Sequence, residues 1–146
     1  KNRKYILEGV PINLPALTRA RRIQEKAASI GFDWNDIDEV FDKVYEEIEE
    51  LKDAIKNNDK QNTFEEIGDT LFSLVNIARF LDFSKGKENN KSEYDPESAL
   101  RFTIRKFENR FNKVEDYLKS KGKKMSESSL SELDEIWNKV KKGESS

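Results

Sequence analysis

Two short stretches carry carboxylates three residues apart. They are Glu46-Glu47-Ile48-Glu49-Glu50 and Glu66-Ile67-Gly68-Asp69. On a helix, residues three apart lie on the same side. Glu47 and Glu50 therefore share one flank of an apolar stripe, with Glu46 at its border and Lys43 one turn earlier, while Glu49 points away. Taken alone, such a run is an ordinary solvated face. Glu66 and Asp69 differ, because their helix is otherwise nearly all apolar and their polar stripe continues through Ser73 and Asn76. A carboxylate beside a core is costly unless it is paired or binds a cation. Four such groups on two adjacent helices could surround one space. The chain has no His and no Cys, so a metal there must be held by oxygen, which favours Mg²⁺, Mn²⁺ or Ca²⁺. A di-iron bundle would require Glu-x-x-His pairs.

Magnesium held by a few carboxylates usually shares its coordination shell with substrate phosphates, and phosphates need cations. Lys106 and Arg110 stand four apart on one helical flank, Lys113 is nearby, and Arg79 follows Asn76 by one turn. Singly, each of these is more simply a solvated charge or an ion-pair partner. Acidic pairs, a basic pair and an Asn along one bundle core make a phosphate site more plausible than coincidence. Phe32, Trp34 and Trp137 could stack on a base, and packing in a core or a dimer explains each equally well.

These residues need helices to position them. The chain has 146 residues, 27 Lys+Arg, 29 Asp+Glu and a net charge of −2; 38% of residues are charged and 35% hydrophobic. That balance suits a single small domain of long helices with solvated faces, here residues 1–146, and argues against a protein that coats nucleic acid. No apolar run is long enough to span a bilayer and no signal segment is evident, so a cytoplasmic location and no membrane partner are expected. The first helix is expected from Pro15 to about Ile30, ended by Gly31, with Leu17, Ala20, Ile23, Ala27 and Ile30 inward. Asp36 and Glu39 form a capping box for a second helix to about Lys56, whose stripe is Ile37, Val40, Phe41, Val44, Ile48, Leu51 and Ile55. After Asn57-Asn58-Asp59, a third helix opens at Asn62 or Thr63 and runs to about Phe83. It is so apolar that cover on most sides is expected. Ser84 to Tyr94 reads as a flexible loop, and Asp95-Pro96 opens a fourth helix with a bundle-like seam. A polar loop and a Ser129–Glu132 cap lead to a fifth helix carrying Leu130, Leu133, Ile136, Trp137 and Val140. The expected fold is an all-α bundle of about five helices.

The spacing Glu46-Glu47-x-x-Glu50 followed by Glu66-x-x-Asp69 resembles the signature of the all-α nucleoside triphosphate pyrophosphohydrolases. The MazG branch is the nearest in pattern, through Leu14-Pro-Ala-Leu-Thr-Arg-Ala20, Gly31-Phe-Asp-Trp34, Glu65-Glu-Ile-Gly-Asp69, Leu74-Val-Asn-Ile-Ala-Arg79, Asp95-Pro-Glu97 and Lys106-Phe-Glu-Asn-Arg-Phe111. The likeness extends from Gly9 to Val140. It implies Mg²⁺, with Mn²⁺ as a substitute, on Glu47, Glu50, Glu66 and Asp69. It implies Glu46 as the residue that orients water or holds a second metal, and Lys106 and Arg110 as phosphate contacts in catalysis. Lys43, Asn76, Arg79 and Trp137 become candidates for substrate binding. The implied reaction is hydrolysis of a nucleoside triphosphate to the monophosphate and pyrophosphate, by a homodimer whose subunits complete the bundle. The polar segment before Asp95 is longer than the usual turn. The chain resembles only the second half of two-half members and has no initiator Met, so a fragment of a longer protein is expected. A non-catalytic helical interaction module remains the alternative. Nucleic-acid binding through Arg19, Arg21, Arg22 and Lys26 is weakened by Glu25 and the charge balance, and no stable nucleic-acid complex is expected.

Overall fold

The computed structural model describes residues 3–84 and 92–144. Five helices form: α1 Ala16–Ser29, α2 Ile37–Lys56, α3 Lys60–Ser84, α4 Pro96–Ser120 and α5 Leu130–Glu144. Short 3₁₀ turns occupy Ile6–Gly9 and Met125–Glu127, and no strand occurs among the described residues. The all-α expectation is met. No helix among the described residues is long and apolar enough to cross a membrane. Two compact units are present, Lys1–Ala99 and Leu100–Ser146, with the boundary inside α4.

In the first unit, α3 packs along α2 and against α1, and the N-terminal 3₁₀ turn packs on α1. Helix α1 ends because Gly31 adopts φ +95°, which lets Phe32 N–H return to the Ala27 carbonyl at 3.1 Å. A side chain would strain that backbone. Asp36 caps α2 by accepting from Glu39 N–H at 3.1 Å. Glu39 in turn accepts from Asn35 N–H, one residue before the cap, so the reciprocal bond of a capping box is displaced. The α2–α3 connection is tighter than its composition implies. Asn58 takes φ 56°, Asp59 N–H returns to the Ala54 carbonyl, and the Asp59 carboxylate accepts from Asn62 N–H. One residue both closes α2 and caps α3, so α3 starts at Lys60 rather than at Asn62 or Thr63.

The buried line of α2 runs through Val40, Val44, Glu47 and Ala54, whereas Phe41, Ile48 and Ile55 are exposed. The seam is thus rotated from the stripe of largest side chains. Glu47 lies inside it, not on its flank. A similar displacement holds in α1, where Gln24 and Ala28 are buried and Ile30 is exposed. Helix α3 buries Ser73, Val75 and Arg79 but leaves Phe64, Ile67, Leu71 and Leu74 exposed in the single chain. The cover expected on most of its sides is therefore not supplied by the chain alone. The expected loop from Ser84 to Tyr94 lies mostly outside the described residues. Its far end is tied back, since Asp82 accepts from the Ser92 hydroxyl and from Glu93 and Tyr94 N–H.

The second unit has its own small core. Val114, Leu118 and Ile136 are buried, with Met125, Leu133, Trp137 and Val140 packed around them. Asp95 caps α4 through Ser98 N–H, with Pro96 at the first helical position. Ser129 and Glu132 exchange reciprocal bonds at 3.1 Å to open α5, as the sequence predicts.

Candidate active site

The α2–α3 packing brings the acidic residues together around Glu47. Glu47, Glu66 and Asp69 each offer a carboxylate oxygen within 4.8 Å of the others, and so do Glu46, Glu47 and Glu50. Glu47 belongs to both sets and is only 7% exposed, while Asp69, Glu46 and Glu50 reach solvent. One buried carboxylate thus links two half-exposed groups of oxygen ligands.

The electrostatics are those of crowded carboxylates with one cation. Lys43 Nζ lies 2.8 Å from Glu46 Oε2 and 3.2 Å from Glu47 Oε2. Hydrogen bonds to Glu46 and then Glu47 push its ammonium pKa upward. Burial alone would raise the Glu47 pKa, but the Lys43 hydrogen bond and those shared with Glu50 and Glu66 outweigh it and hold this carboxyl low. Glu50 is raised, chiefly by its hydrogen bond with Glu47. Glu66 is pushed up to about 7, first by desolvation, then by its bond with Glu47 and the charges of Glu50, Glu47 and Asp69. Its Oε1 is buried with no hydrogen-bond partner among the described residues. A buried carboxylate oxygen left without a hydrogen bond beside other carboxylates is one that a divalent cation would satisfy, and an all-oxygen donor set suits a hard cation. The residues present therefore fit Mg²⁺.

A cavity of about 500 Å³ adjoins this cluster, and Lys43, Glu47 and Asp69 lie in its wall. Phe32, Trp34, Phe72, Ile23 and Ala27 make it largely apolar, and Gln24, Ser73, Asn76 and Arg79 add polar groups. Arg79 is 2% exposed. Its Nη1 and Nη2 donate to the two Asp33 oxygens, both at 2.8 Å, and its Nε donates to Asn76 Oδ1 at 3.0 Å. Burial pushes the Asp33 carboxyl up, but the Arg79 hydrogen bonds and the Trp34 N–H outweigh it and hold it below the ordinary value. The Arg79 charge is thus neutralised inside the protein. Gln24 and Asp33 were not predicted as site residues. For Gln24 the available signal was a polar residue four from both Ala20 and Ala28. Asp33 stood inside the Gly31-Phe-Asp-Trp34 block, but nothing local indicated its role, because its partner is 46 residues away.

Lys106, Arg110 and Trp137 belong to the second unit. Lys106 Nζ stands 5.7 Å from the Phe102 ring centroid, Arg110 Nε pairs with Glu144 Oε1 at 2.8 Å, and Trp137 tilts against Phe107 at 5.2 Å.

An all-helical chain that gathers an EExxE and an ExxD motif around one buried glutamate has the architecture of an oxygen-ligand metal site beside an apolar cleft. Its sequence matches the MazG nucleotide pyrophosphohydrolase domain over residues 37–115. The chain belongs to that family. It is 45% identical over 131 residues to the nucleoside triphosphate pyrophosphohydrolase/pyrophosphatase MazG of Thermotoga maritima, covering 90% of this chain and 46% of that protein. It is 39% identical over 140 residues to the nucleoside triphosphate pyrophosphohydrolase of Escherichia coli K12, covering 94% of this chain and 49% of that protein. A Bacillus subtilis protein described as uncharacterized, YabN, is 37% identical over 140 residues, 95% of this chain and 26% of its own length. The chain spans about half the length of the first two relatives or less.

Proposed function

We propose that residues 1–146 form a catalytic domain that hydrolyses nucleoside triphosphates to a nucleoside monophosphate and pyrophosphate, with Mg²⁺ as cofactor. The observation that supports this reading is the pair of carboxylate sets, Glu46–Glu47–Glu50 and Glu47–Glu66–Asp69, that share Glu47, in a chain of a nucleotide pyrophosphohydrolase family. Glu47, Glu50, Glu66 and Asp69 would hold the metal, with Mn²⁺ as a substitute. When bound, the cation supplies charge neutralisation at phosphoryl oxygens and a more acidic water. Glu46 is exposed at the edge of the cluster and paired with Lys43, which suits a carboxylate that accepts the proton of an attacking water. Lys43 tempers the repulsion among these groups before substrate arrives. Lys106 and Arg110 would neutralise the leaving pyrophosphate, with Arg110 exchanging its Glu144 partner for phosphate, and Trp137 would contact the nucleotide. Phosphoryl transfer asks mainly for positioning and charge neutralisation, so the absence of His and Cys is no obstacle.

A homodimer is part of this reading. The exposed Phe64, Ile67, Leu71 and Leu74 of α3 form an apolar surface that a second copy could cover. The test of the function is direct. The purified chain with Mg²⁺ and a mixture of nucleoside triphosphates should release pyrophosphate and the monophosphates. Orthophosphate as the first product, with pyrophosphate absent, would refute the assignment even if the cation bound as expected.

A further inference from the structure

Asn76 sits in the cavity wall between the carboxylate cluster and the buried Arg79. Its amide orientation is dictated. Arg79 Nε and Nη2 both donate to one Asn76 atom, and a guanidinium has no acceptor to offer, so that atom is Oδ1. The Nδ2 hydrogens therefore turn away from Arg79, and they make no hydrogen bond among the described residues. Asp33 completes the lock by gripping Arg79 through both of its oxygens.

Gln24 is fixed in the opposite sense. Its Nε2 donates to the Phe72 carbonyl at 2.9 Å, and its buried Oε1 has no hydrogen-bond partner among the described residues. Phe72 and Asn76 are one helical turn apart, about 6 Å along α3. Ser73 donates its own hydroxyl hydrogen to the Thr70 carbonyl, leaving only lone pairs. Within one turn of α3, this apolar wall thus combines a free N–H donor with unpartnered acceptors. Leaving a buried acceptor unpaired is costly, and a ligand that supplies its hydrogen recovers that cost.

We propose that Asn76 is a specificity-determining residue, held donor-outward by the Asp33–Arg79 pair, and that with Gln24 it reads a nucleobase edge in which a hydrogen-bond acceptor and an N–H donor lie side by side. The flat aromatic side chains of Phe32 and Trp34 in the same wall suit a planar ring. Asp33 and Arg79 are positioning residues. They touch the amide and not the ligand, and Arg79 is neutralised too completely to serve as a phosphate contact. This inference rests on the nucleotide reading above and extends it to the base.

Binding and turnover separate the two claims. The probe is an α,β-methylene nucleoside triphosphate, which cannot release pyrophosphate, titrated calorimetrically with Mg²⁺. The control is the same analogue of ribose 5-triphosphate, which lacks the base. Asn76→Asp keeps an oxygen toward Arg79 and should melt within a few degrees of the parent chain, while Asn76→Ala removes the donor without adding charge. Both should weaken the nucleotide roughly tenfold, about the worth of one hydrogen bond, and leave the base-free triphosphate unchanged. Equal weakening of both ligands would overturn the proposal, since the contact would then be to sugar or phosphate. Unchanged nucleotide binding in both variants would also overturn it. Failure of the parent chain to release pyrophosphate from any nucleoside triphosphate would count against the proposed reaction, and the binding comparison would stand apart from it.

Discussion

Asp33→Ala is the perturbation with the most legible consequence. It removes the carboxylate that receives two 2.8 Å hydrogen bonds from Arg79. Arg79 is 2% exposed and the Asp33 side chain 15% exposed, so the variant leaves a guanidinium buried with Asn76 as its one hydrogen-bond acceptor among the described residues. Breaking one side of a buried pair costs about 3–5 kcal/mol. Because Asp33 keeps some contact with water, the lower end, about 3 kcal/mol, is expected. For a chain of this size that corresponds to a drop in Tm of about 6–12 °C. Replacing both partners, Asp33→Ala with Arg79→Met, should recover much of the loss, because no charge is then stranded. Thermal and urea unfolding of the two single variants and the double variant measure the coupling. The folded Asp33 carboxyl lies below its ordinary 3.8. Its contribution is therefore complete above that value and is lost as pH falls through the lower folded pKa. The double variant should lack this acid-limb dependence. A single-variant cost below about 1 kcal/mol, or strictly additive losses, would refute the view that the pair is a buried lock.

Other expectations concern the carboxylates and the assembly. Glu66 is raised to about 7 from 4.5, so the metal-free chain should lose stability as pH rises from 4.5 through about 7, and Mg²⁺ should raise Tm more at pH 8 than at pH 6. A Mg²⁺-induced shift independent of pH, or unaltered in Glu66→Gln, would count against Glu66 as a ligand. Glu50→Ala and Asp69→Ala should reduce pyrophosphate release at least a hundredfold, in line with lost charge stabilisation, while circular dichroism shows the helices intact. Lys106→Ala and Arg110→Ala should lower kcat and raise KM together, as expected for groups that contact phosphate in both ground and transition states. Sedimentation should give twice the chain mass of 17.1 kDa, and Leu71→Glu on the exposed face of α3 should shift that value toward the monomer.

The local grammar of the chain was enough for its helices. Asp36, Asp95, Gly31 and the Ser129–Glu132 pair set helix ends through bonds to residues within a few positions, and such bonds depend on sequence neighbours alone. The two acidic i, i+3 pairs and the absence of His and Cys pointed to an oxygen-held cation for the same reason. Family membership, too, was legible in the motifs. What sequence spacing could not supply was the rotation of each helix about its axis. The expected stripe of α2 held Val40 and Val44, which are buried, but also Phe41, Ile48 and Ile55, which are exposed, while Glu47 and Ala54 are buried in their place, because close helix approach favours small residues and a paired carboxylate can replace an apolar group. That rotation makes Glu47 the shared corner of both carboxylate sets. The Asp33–Arg79–Asn76 lock was equally out of reach. It joins residues 46 apart in sequence, and only the packing of α1 and its linker on α3 brings Arg79 against the Asp33 carboxylate.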